Sequence, residues 1–65
     1  MGYQIRVRGE LDAGWSDWFA GLRIATDGGD TLLVGRLDQA TLHSVLKRVR
    51  DLGLPLISVL PLEDS

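Results

Sequence analysis

The sequence predicts an α+β fold in which one long helix covers one face of a four-stranded mixed sheet. Three observations predict it: apolar and polar residues alternate near the start of the chain, an amphipathic helix follows Asp38, and a short apolar run follows that helix. The order is β-β-β-α-β, with a short helical turn after the first strand. We expect a single domain over residues 1–65.

Length and composition limit both the core and the range of functions. The chain has 65 residues, no cysteine and one histidine, so disulfides and a metal site of cysteine and histidine ligands are excluded within one copy. Self-association is the remaining way to enlarge a thin core. The net charge of −2 predicts no general attraction to nucleic acid or anionic lipid. The apolar runs are too short to span a bilayer, so we expect a cytoplasmic protein, and no cofactor is predicted.

Three extended segments occupy the first half of the chain. The first strand is predicted over residues 3–10, where Tyr3, Ile5 and Val7 alternate with polar residues. Residues 22–26 and 31–37 form two further extended runs. Between them lies Asp27-Gly28-Gly29-Asp30, whose glycines suit the positive φ angles of a primed turn, so we expect a hairpin.

The helix has clear start and stop signals. Asp38 stands at the N-cap position, and the chain after it places apolar residues at helical spacing on one face: Leu42, Val45, Leu46, Val49 and Leu52. Gly53 can adopt a positive φ angle, Leu54 can fold back onto Val49 in a Schellman closure, and Pro55 cannot extend the helix. The sequence therefore predicts a helix that begins after Asp38 and ends at Gly53.

The fourth strand is predicted over residues 56–60, with Pro61 at its end. A right-handed crossover through the helix would make the third and fourth strands parallel. We expect the strand order 3-2-1-4, in which the fourth strand pairs in parallel with the first. Residues 63–65 are expected to fray.

One face of this sheet is left without a covering layer. With the helix side assigned to Ile24, Leu32, Val34, Ile57 and Val59, the uncovered face would carry Ala25, Leu33, Leu56 and Leu60. An apolar patch on a small protein usually marks an interface. We therefore expect a homodimer or higher oligomer built on this face or on an edge strand; the alternative is scattered single residues without a role.

Trp15, Trp18 and Phe19 lie between the first two strands at spacings that one helical turn would bring to one side. The cluster has two interpretations. It closes an open end of the core, or it forms an exposed platform that binds a base, a sugar or, preferably, a partner protein.

The chain resembles a group of short, uncharacterised bacterial proteins. The resemblance is carried by Trp15-x-x-Trp18-Phe19, by Asp38-Gln39-Ala40 and Leu42-His43, and by Arg50-Asp51-Leu52-Gly53-Leu54-Pro55-Leu56 with Ser58-Val59. It implies a bacterial origin and no particular activity.

Catalytic residues are few. His43 is the default candidate for proton transfer, but it projects from a polar flank of the helix shared with Gln39, Lys47 and Arg50, and Ser44 points elsewhere. An enzyme with a pocket formed between subunits remains an alternative. It would require His43, Tyr3 or the Glu10/Asp17 loop to converge on a cavity.

Arg6 and Arg8 share one face of the first strand, and Arg23 can lie beside them. This strip is the best argument for a nucleic-acid partner, but no aromatic residue lies on that face for base stacking. The alternative is a solvated face paired with carboxylates. Overall the sequence favours a non-catalytic, self-associating interaction or accessory module.

Overall fold

The three-dimensional structure is a computed structural model that describes residues 2–62, apart from the side chain of Ala13. In chain order its elements are β1 (Gly2–Arg8), a 3₁₀ helix (Ala13–Phe19), β2 (Arg23–Asp27), β3 (Asp30–Arg36), α1 (Gln39–Asp51) and β4 (Leu56–Leu62). The predicted α+β class and element order are confirmed. The expected fraying of residues 63–65 lies outside the described residues.

The strands are ordered β2-β3-β1-β4, and every neighbouring pair is antiparallel. The prediction of a mixed sheet with order 3-2-1-4 was therefore wrong. The predicted orientation of the crossover is confirmed, because β3 and β4 both run opposite to β1 and so point the same way. β1 takes the place between them because its Tyr3, Ile5 and Val7 are almost fully buried, which a central position allows.

The turn of the β2–β3 hairpin consists of Gly28 and Gly29, with φ angles of 58° and 89°. Asp27 and Asp30 pair across it. Positive φ at both central positions is the geometry of a type I′ turn, which matches the twist of the flanking strands. The predicted hairpin and its primed turn are confirmed.

The register of this hairpin corrects the predicted facing of β3. Ile24 pairs with Leu33, and cross-strand partners point to the same face of a sheet. Leu33 is therefore fully buried beneath α1, whereas Leu32 and Val34 lie on the sheet face opposite α1, which we call the open face. A shift of one residue in a strand moves every side chain to the other face.

Both ends of α1 form as predicted. The Asp38 carboxylate accepts a hydrogen bond from the Thr41 backbone N–H at 2.7 Å. At the other end, Gly53 N–H donates to Arg50 C=O at 2.9 Å and Leu54 N–H donates to Val49 C=O at 3.2 Å. These two bonds define a Schellman motif. The predicted apolar face of the helix packs on the core: Leu42, Val45, Leu46, Val49 and Leu52.

The N-cap makes the stability of the helix depend on pH. The pKa of Asp38 is lowered because its carboxylate accepts hydrogen bonds from Thr41, first from the backbone N–H and then from the hydroxyl. A carboxyl whose pKa is lower in the folded protein stabilises it above its unfolded pKa of about 4. That contribution is lost as the pH falls through the folded pKa.

We therefore expect Asp38→Ala to lower the free energy of unfolding at neutral pH and to have a smaller effect under acid conditions. Urea titrations of both proteins at about pH 7 and about pH 3 measure this difference, on either side of the ordinary aspartate pKa. An equal deficit at both pH values would contradict a role for the ionised carboxylate.

The core lies between α1 and the sheet, and the 3₁₀ helix closes one end of it by packing on β2 and α1. Asp12 caps the 3₁₀ helix by accepting a hydrogen bond from Gly14 N–H at 2.9 Å. Ala20 and Gly21, both with positive φ, then turn the chain into β2. This arrangement leaves the open face and the outer edge of β4 without a covering layer in the described part of the chain.

Candidate functional site

The four residues predicted to form the interface do not share one surface. Ala25 and Leu60 lie on the open face and are exposed. Leu33 is in the core, for the reason given above, so its assignment to the interface was wrong. Leu56 lies on the helix side of the sheet. The open face nevertheless carries apolar side chains, three of them half-buried and two exposed: Leu32, Val34, Leu62, Ala25 and Leu60.

A β-bulge explains the position of Leu56. Arg6 pairs with Ser58, but the next residue of β1, Val7, pairs with Leu56, so Ile57 is an extra residue in β4. An extra residue changes which face the remaining side chains reach. Leu56 therefore leaves the open face and shares a side with Val7.

The outer edge of β4 is the most apolar exposed feature of the described residues. β4 pairs with β1 on one side only, and Leu56, Ile57 and Leu60 are 50%, 43% and 49% exposed. No charged residue occurs in Leu56–Leu62. A long, uncharged edge strand offers unpaired backbone groups to another strand.

The opposite edge of the sheet is protected. β2 has five residues, carries the charged residues Arg23 and Asp27, and packs against the 3₁₀ helix. Short length, charge and a covering element are the usual ways in which proteins prevent pairing at an edge. β4 is longer, uncharged and uncovered within residues 2–62, so it is the more open edge, although Pro61 and the bulge at Ile57 each reduce its capacity to pair.

A groove of about 570 Å³ lies between α1 and the start of β4. Its floor is apolar, with Leu46, Leu54 and Leu56, and three basic side chains border it: His43, Lys47 and Arg50. No described carboxylate lines it. We call it the basic groove.

The aromatic cluster divides into a buried and an exposed part. Phe19 is fully buried, whereas Trp15 and Trp18 are 37% and 42% exposed. The two indoles meet edge to face with centroids 6.5 Å apart, and the Arg48 guanidinium lies 4.5 Å from the Trp18 ring centroid. Phe19 thus fits the first interpretation, closure of the core. The two tryptophans form an exposed surface beside α1.

The arginine strip lies on the open face, as expected for Arg6 and Arg8. Arg6 binds Asp27 at 2.7 Å and Asp30 at 2.8 Å, and these hydrogen bonds raise its pKa above the ordinary value. Arg23 lies on β2, separated from β1 by β3. Arg6 therefore fits the alternative interpretation, a solvated face paired with carboxylates, because Asp27 and Asp30 already compensate its charge.

The residues proposed for catalysis are not brought together. His43 lines the basic groove, but Tyr3 is buried and accepts a hydrogen bond from Gln39 at 3.5 Å. Neither Glu10 nor Asp17 lines that groove. Within residues 2–62, no cluster of three histidine, cysteine, aspartate or glutamate side chains is placed to hold a metal ion. None of the helical residues described forms a span long and apolar enough to cross a membrane.

The fold and these surfaces define a small α+β domain in which residues 2–62 leave one sheet face and one edge strand uncovered. The chain belongs to the family described as "Domain of unknown function (DUF8691)", whose model matches residues 2–60. That description names no activity. Comparisons with curated proteins and with solved structures give no significant match.

Proposed function

We propose that this domain is a non-catalytic interaction module that self-associates through β4. In the proposed dimer, the β4 strands of two copies pair antiparallel and join the two sheets into one. The observation that carries the proposal is the uncharged outer edge of β4, with Leu56, Ile57 and Leu60 exposed. Strand addition of this kind supplies backbone hydrogen bonds at an edge that is otherwise open.

The backbone of β4 allows a two-fold pairing about Val59, although Pro61 cannot donate a hydrogen bond to the partner strand. Pro61 has no N–H, and proline occurs in edge strands where its nitrogen faces away from the sheet. Val59, two residues earlier, then also directs its N–H and C=O outward. If the two-fold axis passes near Val59, the Val59 residues of both copies exchange hydrogen bonds. The same strand supplies both halves of the contact, as a two-fold interface requires.

The side chains suit the same pairing. Leu60 and Leu62 lie on the open face of each copy, and antiparallel pairing about Val59 brings the two open faces edge to edge. The exposed Leu60 and the half-buried Leu62 of both copies then form one apolar strip. Burying this surface adds to the thin core that a chain of 65 residues can form.

A lysine placed in the edge strand tests the proposal. Ile57→Lys is expected to weaken self-association at least tenfold, because a charged residue in an edge strand opposes pairing with another strand. Ala25→Lys is the matched control, since Ala25 is exposed on the edge strand at the opposite side of the sheet. Light scattering and sedimentation velocity over a range of concentrations measure the dissociation constants.

Circular dichroism on both variants checks that each is folded. A parent protein that is monomeric at every concentration would overturn the proposal. So would a dimer whose dissociation constant responds equally to the two lysines.

A further inference from the structure

We infer that the basic groove binds a small amphipathic carboxylate, a molecule with one carboxylate head and an apolar body. The inference does not rest on the β4 dimer, because the residues that line the groove all belong to one copy. It assigns a role to the basic side chains His43, Lys47 and Arg50, which the proposed self-association does not use.

The groove has the size and shape of a small-molecule site. Its volume of about 570 Å³ lies within the range of roughly 300–1,000 Å³ that is usual for ligand sites. One wall is α1 and the other is the start of β4, and residues 53–55 connect the two walls, which therefore converge at this end. The helical wall from His43 to Arg50 is about 10 Å long. A short groove with one closed end suits a compact molecule better than a peptide that passes through it.

The apolar lining supplies contacts for the body of such a molecule. Leu46 and Leu54 are half-buried, so part of each side chain remains open to the groove. Leu56 is 50% exposed, and Pro55 beside it is exposed as well. Covering these side chains would remove apolar surface from water, which favours binding. The closed end of the groove therefore favours an apolar group.

The border of the groove supplies contacts for the carboxylate head. Lys47 and Arg50 are three residues apart in α1, so their side chains lie on the same side of the helix and can reach one carboxylate. Among residues 2–62, Arg50 forms no ion pair, and Lys47 forms one exposed pair with Asp51 at 3.3 Å, which is a weak interaction. No described carboxylate lines the groove. A carboxylate would therefore meet positive charge that the described residues leave largely uncompensated.

The end of α1 defines the orientation of the bound molecule. The C-terminus of a helix carries partial negative charge, so a carboxylate beside Gly53 is disfavoured. The head is expected along the flank of α1, against Lys47 and Arg50. The body then extends toward Leu54 and Leu56, which line the same groove.

Octanoate is the probe for this site, and two related molecules separate the contributions of head and body. Acetate has the carboxylate without the long apolar body, and octylammonium has the same body with a positive head. Octanoate is expected to bind with a dissociation constant of about 1 mM or less, and the other two at least tenfold more weakly. Titrations followed by ¹H–¹⁵N NMR measure the three affinities. The amide shifts should cluster at the residues that line the groove.

Arg50→Gln tests the contribution of charge. It is expected to weaken octanoate binding at least threefold at low salt, and by less at high salt, where the charge is screened. Arg48→Gln is the matched control. It makes the same change in the last turn of α1, but Arg48 lies beside Trp18 and does not line the groove. We expect it to leave the octanoate affinity unchanged.

Leu56→Ser tests the contribution of the apolar wall and is expected to weaken octanoate binding at least threefold. Leu60→Ser is the matched control. Leu60 lies on the same strand with nearly the same exposure, 49%, but does not line the groove. Both substitutions remove an exposed leucine, and circular dichroism shows whether each variant is folded.

Three results would overturn the inference by showing that the groove does not select an amphipathic anion. The first is a lack of octanoate binding up to about 10 mM, well above the expected dissociation constant. The second is equal binding of octanoate and octylammonium. The third is an equal effect of Arg50→Gln and Arg48→Gln.

Two further results would assign the groove to another occupant and would also overturn the inference. Amide resonances of residues 43–50 that shift with protein concentration in the absence of octanoate would identify a second copy. Binding of the peptide tetraglutamate in place of octanoate would identify an acidic segment of another protein. A monomeric parent that binds octanoate in the groove supports the inference and overturns only the β4 dimer.

Discussion

Phe19→Ala is expected to lower the free energy of unfolding by about 3–5 kcal/mol, the usual cost of removing a buried phenylalanine ring. Phe19 is fully buried and closes the end of the core where the 3₁₀ helix packs on β2 and α1. A chain of 65 residues has a total stability of roughly 3–10 kcal/mol. Loss of this side chain should therefore leave much of the protein unfolded, as measured by urea titration with circular dichroism.

Trp18→Ala is the control for this prediction. Trp18 is 42% exposed, and its ring contacts include the Trp15 indole and the Arg48 guanidinium. We expect a cost of about 1–2 kcal/mol, from a partly exposed ring and a cation–π contact. Equal destabilisation by the two substitutions would contradict the division of the cluster into a buried phenylalanine and exposed tryptophans.

The division of this cluster has a simple geometric cause. Trp15, Trp18 and Phe19 share one side only if the segment is an α-helix. In a 3₁₀ helix with three residues per turn, residues three apart are eclipsed, so Trp15 aligns with Trp18 while Phe19 lies about 120° away. Phe19 instead aligns with Ser16, whose hydroxyl donates to Leu22 C=O at 2.7 Å. The composition of the segment did not reveal the type of helix.

Local signals predicted the parts of the fold that depend on neighbours in sequence. The cap at Asp38, the Schellman motif at Gly53 and the turn at Gly28-Gly29 each depend on a few consecutive residues. The facing of β3 could also have been predicted. A two-residue turn that pairs Asp27 with Asp30 requires Ile24 to pair with Leu33, so Leu33 must face the core with Ile24.

Features that depend on distant pairing could not be predicted from such signals. The insertion of β1 between β3 and β4 requires hydrogen bonds between residues far apart in the chain. The bulge at Ile57 follows from that pairing and moves Leu56 to the helix side. The basic groove depends on the same pairing of β4 with β1. His43, Lys47 and Arg50 are a polar flank of an isolated helix, and they border a groove only because β4 starts beside them.

Thr31 is a buried polar residue whose role was not predicted from the sequence. That role is structural. The residue is fully buried in β3. Its hydroxyl donates to Gly9 C=O at 2.6 Å and accepts from Leu11 N–H at 2.9 Å. One side chain thus satisfies two backbone groups of the loop that follows β1. That loop leads to the 3₁₀ helix, so the position of Phe19 depends on it.

Thr31→Val is expected to lower the free energy of unfolding by about 2 kcal/mol, because valine keeps the shape of threonine and leaves both backbone groups without their partner. Urea titration measures the loss, and hydrogen exchange should show faster exchange of the Leu11 amide. Thr26→Val is the matched control. Thr26 pairs with Thr31 across the hairpin but is exposed, so we expect a change within about 0.5 kcal/mol.

Thr31→Ser distinguishes the contribution of the hydroxyl group to stability from that of the methyl group. Serine keeps both hydrogen bonds and loses one buried methyl, which costs about 1 kcal/mol. If the two hydrogen bonds hold the loop, Thr31→Val is the more damaging change and Thr31→Ser retains slow exchange at Leu11. The reverse order would mean that packing of the methyl group, and not the hydroxyl, fixes the path of the chain from β1 to Phe19.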